Sequence, residues 1–352
     1  MNPPSSCCTI SACSSTPLPC SSSPVQVELE PIAETLCTRV TWRDELGTWR
    51  VRWGVWRMKY LTPSGLYRIG KPDAGSPVLV TANYKLTVDT VRKELAGLDV
   101  WLLVLDTKGI NVWCAASKGT FGTDEVVRRV QSTNLKDLVN HRNLILPQLS
   151  ATGVAAHEVK RATGFTVHYG PVRAADIREY LVAGLKATPG MRRVTFKWNE
   201  RIVLSPVEVV NESKNMLLIF AALALLNMVH DHRLTAHVFT DFVPFAAAFL
   251  AGGVLVPLFL PLIPFRYFAL KGAAVGALVA ALLLACLPMG RLEAAGVTFL
   301  VIAIPSYMAM MFTGCTTFTT LAGAQLEVRR ALPPILASLV IGTILRITAA
   351  FV

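Results

Sequence analysis

One cysteine stands where a thiolate could bind a soft metal ion. Cys114 follows a predicted buried strand, Val100–Leu105, and falls in the first turn of a very short predicted helix. Asn111 is a good N-cap, which puts Cys114 at the third helical position. The partial positive charge of a helix N-terminus favours thiolate over thiol there. The alternative, more common for a single cysteine, is a small buried side chain at a strand–helix junction.

The predicted helix is only about two turns long. Lys118 lies in its last turn, and Gly119 can end it in a left-handed conformation. Because so short a helix is not stable alone, we expect the residues that it covers to hold it in place.

The residues around Cys114 resemble a known motif. Residues 111–118 read Asn-Val-Trp-Cys-Ala-Ala-Ser-Lys, and seven of the eight positions fit the cap-helix motif of the HgcA family, the membrane corrinoid proteins of microbial mercury methylation. The exception is Ser117, where that family has glycine. Residues 77–85 and 119–125 also resemble the family, and the likeness runs from about residue 66 to the C-terminus. The soluble part is similar, too, to the large subunit of the corrinoid iron–sulfur protein of the acetyl-CoA pathway, which lacks the cobalt-binding cysteine and the membrane region.

This resemblance implies a corrinoid-dependent methyltransferase. Cys114 would be the catalytic residue and the metal ligand, bound to the cobalt of a corrinoid (cobalamin) as its lower axial ligand, with Trp113, Ala115 and Ala116 packing the helix against the ring. The methyl acceptor would be Hg(II), the reductant a ferredoxin-like iron–sulfur protein, and the methyl donor a compound of the folate pathway. The implied corrinoid-binding residues are Asn83, Asn111, Val112, Trp113, Cys114, Ala115, Ala116, Ser117, Lys118, Gly119 and Thr120.

Two other functions stay open. If Ser117 crowds the corrin, the chain would be a corrinoid methyl carrier of the acetyl-CoA pathway type that acts on another acceptor. The second open function is that of a non-catalytic membrane carrier of metal or corrinoid. Such a carrier would bind its cargo through the sulfur atoms of Met308, Met310, Met311 and Cys315. These four residues are more often apolar filler in a membrane helix.

Residues 41–214 predict an α/β, Rossmann-like corrinoid-binding domain. Strands at residues 78–81, 100–105, 144–146 and 165–167 alternate with helices at residues 88–95, 154–163 and 174–185. Ligands of such folds bind outside the carboxyl ends of the strands, so Asn83 and residues 111–118 should meet at one crevice. We also expect two strand pieces over residues 49–60 and a helix capped by Thr123.

Composition predicts a membrane region over residues 215–352. Apolar residues make up 53% of the chain and charged residues 16%, against about 25% charged in ordinary soluble domains. About five transmembrane helices are expected, at residues 216–229, 242–263, 268–287, 295–312 and 332–352. Lysine and arginine cluster on one side of these spans, which favours a multi-pass protein of the cytoplasmic (inner) membrane with its soluble domain in the cytoplasm.

The remaining candidates carry weaker signals. His157 and His168 lack the Asp-x-His-x-x-Gly signature of histidine-ligated corrinoid proteins, so we expect surface or hydrogen-bonded histidines. Residues 1–40 are rich in Ser, Pro and Cys and are predicted to be disordered, and the spacing of their cysteines does not match a ferredoxin cluster. The net charge of +11 fits contact with anionic lipid, and no nucleic-acid motif accompanies it.

Overall fold

The computed structural model describes residues 33–232, 235–312, 319 and 321–352. Contacts divide the chain into two compact units, one up to Thr195 and one from Phe196 onward. The predicted domain boundary after residue 214 stays a prediction. Most of the predicted disordered segment, Arg233 and Cys315 lie outside the described residues.

The first unit is a mixed α/β domain built on a six-stranded sheet. Its strands are β1 (Glu34–Thr35), β2 (Gly65–Ile69), β3 (Val78–Ala82), β4 (Val100–Leu105), β5 (Asn143–Leu146) and β6 (Thr166–Tyr169), in the order β1-β2-β4-β3-β5-β6. The four strands β4, β3, β5 and β6 are parallel, and β2 is antiparallel to β4. The mainly parallel sheet that the sequence predicts is therefore confirmed.

Helices cover this sheet because its central strands are apolar on both sides. They are α1 (Trp42–Arg52), α2 (Lys85–Glu94), α3 (Val112–Lys118), α4 (Thr123–Ser132), α5 (Leu135–Leu138), α6 (Ala156–Thr163) and α7 (Ile177–Val182). Every residue of β3 and of β4 is buried, which is the pattern of strands covered on both faces. Two apolar cores result, one around Leu103 and Leu146 and the other around Leu102 and Ile145.

The prediction of strands over residues 49–60 is wrong. These residues belong to α1 and to a 3-10 turn, Arg57–Lys59. Helix α1 forms because Thr41 and Asp44 make a capping box at its start: Thr41 Oγ1 accepts a hydrogen bond from the Asp44 N–H, and the Asp44 carboxylate accepts one from the Thr41 N–H. This local signal outweighs the alternation of apolar and basic residues that follows it.

The predicted cap by Thr123 is also wrong. Gly122 is the N-cap of α4, and Thr123 is its first helical residue. The Thr123 hydroxyl instead accepts a hydrogen bond from the Ala155 N–H (2.9 Å). Asp124 and Glu125 lie in the first turn of α4, where their negative charges are favourable.

The second unit is mostly helical. Its helices are α8 (Trp198–Ile202), α9 (Ser205–Asp231), α10 (His237–Leu250), α11 (Val256–Phe259), α12 (Phe268–Cys286), α13 (Arg291–Phe312) and α14 (Leu321–Ala349), and a π-helical segment, Ala251–Leu255, joins α10 to α11. Among the residues that the structure describes, five helices are long and apolar enough to cross a membrane, namely Trp198–His230, His237–Phe259, Phe268–Cys286, Arg291–Phe312 and Ala322–Ala349. This number agrees with the prediction, although the first and last helices begin earlier because polar residues continue them.

Small residues bring these helices together. A Cβ atom on Gly276 of α12 would lie 2.6 Å from the carbonyl oxygen of Val301 on α13, and one on Gly272 would clash with Pro305. Glycine at these two positions therefore lets α12 and α13 pack closely. Met308 and Met310 are buried in apolar clusters of the same unit.

Candidate functional site

Helix α3 has the local structure that the sequence predicts. It begins after Asn111, whose side-chain oxygen accepts a hydrogen bond from the Cys114 N–H (3.0 Å). It ends at Gly119, whose φ of 81° lies in the left-handed region. Cys114 is therefore fixed in the first turn of a seven-residue helix, directly after the loop that follows β4.

A buried asparagine holds that loop. The side-chain oxygen of Asn83 accepts hydrogen bonds from the Thr107 N–H (3.1 Å), the Thr107 hydroxyl (2.9 Å) and the Gly109 N–H (3.0 Å). Its amide nitrogen donates to Asp106 (3.1 Å). Because all of these bonds stay within the protein, Asn83 positions the segment that leads into α3.

Charges reinforce the same loop. The pKa of Asp106 is lowered: partial burial acts to raise it, but hydrogen bonds from the side chain and the N–H of Lys108 outweigh burial. The Asp106 N–H also donates to a carboxylate oxygen of Glu125 on α4 (2.8 Å). The carboxylate of Asp106 thus stays charged and keeps the loop closed.

The two faces of α3 have different environments. Val112, Ala115 and Ala116 are buried in the apolar core around Leu103, so their side chains hold the helix to the protein. The implied contact of Ala115 and Ala116 with a cofactor stays a prediction, and in this structure both face that core. Trp113, Cys114 and Thr120 are partly exposed, and Ser117, Lys118 and Gly119 are exposed.

Ser117, the departure from the motif, does not point into the packed side of the helix. It is exposed, and its hydroxyl donates to the Trp113 carbonyl oxygen one turn earlier (3.2 Å). The buried side of α3 packs against Gly153, which lies in a neighbouring segment. A Cβ atom on Gly153 would lie 2.8 Å from the Ala116 carbonyl oxygen, so only glycine allows this close approach.

A cavity of about 300 Å³ lies beside the N-terminus of α3. It opens where β3 has β4 on one side and β5 on the other, the kind of strand-order reversal at which α/β sheets bind ligands. Its walls are mainly apolar and come from β3, β5, α2, α3 and the segment after β6. They are formed by Leu79, Val80, Thr81, Tyr84, Leu86, Thr87, Thr90, Val91, Asn111, Val112, Trp113, Ile145, Leu146, Pro147, Leu149, Pro171, Val172, Ala174 and Ile177.

One wall residue carries an unsatisfied polar group. Thr81 is 1% exposed, and its hydroxyl has no hydrogen-bond partner in the part of the chain that the structure describes. A buried hydroxyl without a partner is costly, and a ligand that supplies a donor or an acceptor would remove that cost. Thr81 therefore offers a ligand an unsatisfied polar contact, in a wall that also includes Tyr84, Thr87, Thr90 and Asn111.

The other predicted candidates lie elsewhere. His157 is exposed with its ring 4.0 Å from Glu158, and His168 contacts the side-chain oxygen of Asn143 (3.1 Å). Across the described residues, no three His, Cys, Asp or Glu side chains gather in a way that could hold a metal ion. The cysteines before residue 33 and Cys315 lie outside those residues, so their roles stay predictions.

Of the predicted site residues, Asn111, Val112 and Trp113 line the cavity, whereas Cys114 follows them on α3 and is not among the lining residues. Two further residues, Thr81 and Gly153, were not expected from the sequence. Thr81 could have been recognised from the sequence, since it is the one polar residue in the apolar strand β3. Gly153 could not have been recognised in this way, because its role depends on a contact with α3, which is distant in sequence.

The structure defines a mixed α/β domain followed by a mostly helical region whose long helices are apolar enough to cross a membrane. Residues 59–181 match the family described as CdhD, the CO dehydrogenase/acetyl-CoA synthase delta subunit. The chain is 40% identical over 119 residues to the acetyl-CoA decarbonylase/synthase complex subunit gamma of Methanopyrus kandleri and 35% identical over 119 residues to that of Archaeoglobus fulgidus. Subunit gamma 2 of Methanosarcina mazei is 41% identical over 92 residues.

The family match, residues 59–181, lies within the first unit. The matches to the Methanopyrus and Archaeoglobus proteins cover 33% of this chain and 25% of each relative, and the Methanosarcina match covers 25% and 20%. The chain thus spans about a quarter of the length of the curated relatives that it matches. The shared part contains the cavity's strands β3 and β5 and helix α3.

Proposed function

We propose that this chain is a corrinoid-dependent methyltransferase that transfers a methyl group to Hg(II). The observation that carries the proposal is the placement of two neighbouring residues. Trp113 lines the cavity, and Cys114, the next residue on α3, is partly exposed. The match to acetyl-CoA decarbonylase/synthase subunits supports methyl-group chemistry in general, and the motif around Cys114 supports the mercury-methylating branch.

The residues present fit a corrinoid. The cavity is too small for the whole cofactor, because about 300 Å³ is the lower end of the range for small-molecule sites, but it suits one apolar portion with a polar group. Thr81 would bind that polar group, and Trp113 would pack against the cofactor at the cavity wall. A corrinoid bound here would supply a cobalt centre that accepts a methyl group and gives it up to an electrophile.

The chain's own residues would bind and orient this group. Cys114 would ligate the cobalt through its thiolate, a soft ligand suited to such a metal. Asn111 fixes the position of Cys114 through the first turn of α3, and Asn83 fixes the loop before it. Lys118, Gly119 and Thr120 follow on the exposed side of the helix end, where they would border the bound cofactor.

The partners are part of the same proposal. We infer a ferredoxin-like iron–sulfur protein as reductant and a folate-pathway methyl donor. The five apolar helices support a location in a lipid bilayer. The excess of basic residues on one side of them supports the cytoplasmic membrane with the first unit in the cytoplasm.

The comparisons favour one alternative specifically. The relatives are named as subunits of acetyl-CoA decarbonylase/synthase complexes, so a corrinoid methyl carrier of that kind, acting on another acceptor, is the second candidate. The two functions share the cavity and differ in the acceptor and in the role of Cys114.

The test is an anaerobic assay of the purified full chain. The protein is loaded with methylcobalamin, an Hg(II)–thiolate complex is added, and methylmercury is measured together with the absorption spectrum of the cobalt. We expect methylmercury and a sulfur-ligated spectrum, and both should be lost in Cys114→Ala because the ligand is removed. Cys37→Ala is the matched control, since Cys37 is an exposed cysteine of the same unit.

Each other result would assign a different function. A sulfur-ligated spectrum without methylmercury would move the proposal to another acceptor. A wild-type protein that binds corrinoid without sulfur ligation, transfers no methyl group and binds equally well as Cys114→Ala would favour a non-catalytic carrier. Ser117→Gly should leave the yield unchanged, because Ser117 is exposed and bonds only to its own helix. A large gain with glycine would show that Ser117 obstructs the reaction.

A further inference from the structure

Helix α1 carries an exposed apolar surface that the proposed methyl transfer does not use. Trp42, Leu46, Trp49 and Trp53, with the neighbouring Trp56, are between 46% and 68% exposed. We call these five residues the tryptophan face. Isolated exposed apolar residues are ordinary, but a contiguous group of large ones usually marks an interaction site.

The spacing places this group on one side of the helix. Residues 42, 46, 49 and 53 stand at i, i+4, i+7 and i+11, so their side chains fall within a narrow stripe. The opposite side of α1 faces the protein, where Val51 is 2% exposed. Helix α1 therefore turns most of its apolar surface away from its own domain, the reverse of an ordinary amphipathic surface helix.

Specific contacts hold the helix in this rotation. Asp44, on the inner side, forms ion pairs with Lys85 (2.6 Å) and Arg92 (2.8 Å) of α2. The Tyr60 hydroxyl donates to the Asp44 carbonyl oxygen (3.2 Å), and a Cβ atom on Gly47 would lie 2.7 Å from the Tyr60 ring. A simple roll of the helix to bury its tryptophans would break these contacts.

Basic side chains border the tryptophan face. The guanidinium of Arg50 lies 4.3 Å from the ring centre of Trp56, and that of Arg43 lies 5.4 Å from the ring centre of Trp42. The stretch from Arg39 to Lys59 holds six basic and two acidic residues, and one of the acidic residues, Asp44, is paired inward. The surface thus combines indole rings with an excess of positive charge.

We propose that the tryptophan face lies on the headgroup region of an anionic lipid bilayer. Tryptophan is enriched at membrane–water interfaces because its ring is apolar and its N–H is polar, and arginine adds attraction to anionic headgroups. The same chain carries five helices suited to a membrane, so covalent linkage gives α1 a high effective concentration at a lipid surface. This inference depends on neither Cys114 nor a corrinoid.

Lipid fits this surface better than a macromolecular partner. A protein partner would have to supply a hydrophobic groove for this helix stripe, whereas the five apolar helices of the same chain already imply a bilayer. Interleaved tryptophan and arginine can also stack on single-stranded nucleic acid, but that contact needs a groove that follows the backbone. Contact with a flat bilayer requires only a row of side chains that reach the same depth in the headgroup region. A single exposed stripe along a helix provides such a row.

The test uses quenching of tryptophan fluorescence by lipids with brominated acyl chains. The full chain is placed in nanodiscs of brominated or unbrominated phosphatidylglycerol, and a variant has Trp42, Trp49, Trp53 and Trp56 replaced by Phe. Three tryptophans remain in the variant, among them Trp198 in the first of the five apolar helices. If the tryptophan face contacts lipid, bromine quenches a larger fraction of the wild-type emission than of the variant's emission.

A smaller quenched fraction in the wild type than in the variant would overturn the proposal. In that case the four tryptophans of the face would add emission that bromine does not quench and would dilute the quenched emission of Trp198. Arg43→Gln with Arg50→Gln should lower the quenching to the level found in zwitterionic brominated nanodiscs. Lys136→Gln with Arg161→Gln removes the same charge from other exposed positions of the unit and should change nothing. Absence of lipid contact combined with a blue shift on adding a small acidic protein would assign the face to a protein partner.

Discussion

At the scale of single residues, Thr81 and Thr107 form an informative pair. Both are buried threonines next to the candidate site. The Thr107 hydroxyl donates to the Ile110 carbonyl oxygen (2.7 Å) and contacts Asn83, whereas the Thr81 hydroxyl has no partner among the described residues. The Thr107 hydroxyl stabilises the fold, and the Thr81 hydroxyl is available to a ligand in the cavity.

This difference predicts opposite effects of the same substitution. Thr81→Val should leave the melting temperature of the ligand-free protein unchanged or raise it, because a buried unsatisfied hydroxyl is replaced by a methyl group. It should weaken corrinoid binding by roughly 2- to 12-fold, the equivalent of one ordinary hydrogen bond of about 0.5–1.5 kcal/mol. Thermal unfolding and equilibrium binding of methylcobalamin measure both effects.

Thr107→Val is the matched variant. It should lower the melting temperature, because it removes the partner of Ile110 and Asn83. If Thr81→Val proves as destabilising as Thr107→Val, the Thr81 hydroxyl has a structural partner and the cavity loses its polar contact.

At the scale of elements, α1 depends on a cluster of charges between two helices. Asp44 accepts hydrogen bonds from Lys85 and Arg92, and Asp89 of α2 pairs with the same two cations. Burial acts to raise the pKa of Asp44, but hydrogen bonds from Lys85 and Thr41 outweigh it and hold that pKa well below its ordinary value near 3.8. The negative charge of Asp44 therefore stabilises the folded state.

The sign of the pH dependence follows from this shift. A lowered folded pKa means that the contribution of Asp44 is complete above the unfolded pKa of about 3.9 and is lost as the pH falls through the folded value. We expect the wild type to lose stability on acidification below about pH 4. Asp44→Asn should be less stable at neutral pH and should show a smaller loss on acidification, as measured by thermal unfolding against pH.

A matched substitution separates Asp44 from the general effect of acid. Asp137→Asn changes an exposed aspartate of α5 and should leave the acid dependence as in the wild type. Equal acid sensitivity of Asp44→Asn and the wild type would show that the ion pairs between α1 and α2 contribute nothing measurable.

How far the sequence predicts the structure depends on where each signal lies. Helix α3 was predicted correctly from Asn111 and Gly119, because caps are local. Helix α1 is not predicted, because the alternation of apolar and basic residues after Trp49 is typical of a strand although the Thr41–Asp44 capping box starts a helix there. The cavity contact of Thr81 and the close approach of Gly153 to α3 depend on segments that meet only in the folded chain.

At the scale of the whole molecule, the five apolar helices contain a small charged cluster. Arg346 of α14 pairs with Asp241 of α10 (3.0 Å) and approaches Glu293 of α13 (3.5 Å). Arginine is costly in a membrane unless it is paired or reaches the interface. The pairs therefore explain how the last apolar helix accommodates Arg346, and they link three helices.

Removing this arginine should destabilise the second unit. Arg346→Met leaves two partly buried carboxylates without their cation, and a partly buried charge that loses its partner destabilises the folded state. We expect a lower melting temperature in detergent, with Arg329→Met, an exposed arginine of the same helix, as the control. A higher melting temperature for Arg346→Met would show that apolar packing serves better than the ion pairs at this position.

The polarity of the sheet has a practical consequence. The cavity and α3 both lie at the carboxyl ends of the parallel strands, so the segment from Gly70 to Ser76, which leads into the start of β3, is at the other edge. Asp73 and Gly75 form a turn there through a side-chain hydrogen bond (2.9 Å), and both are exposed. A fluorophore attached through a cysteine at Gly75 would report on the protein from this edge and leave the cavity edge untouched. An inserted epitope would instead break the hydrogen bonds that Trp101 and Asn140 donate to the carbonyl oxygens of Asp73 and Ala74.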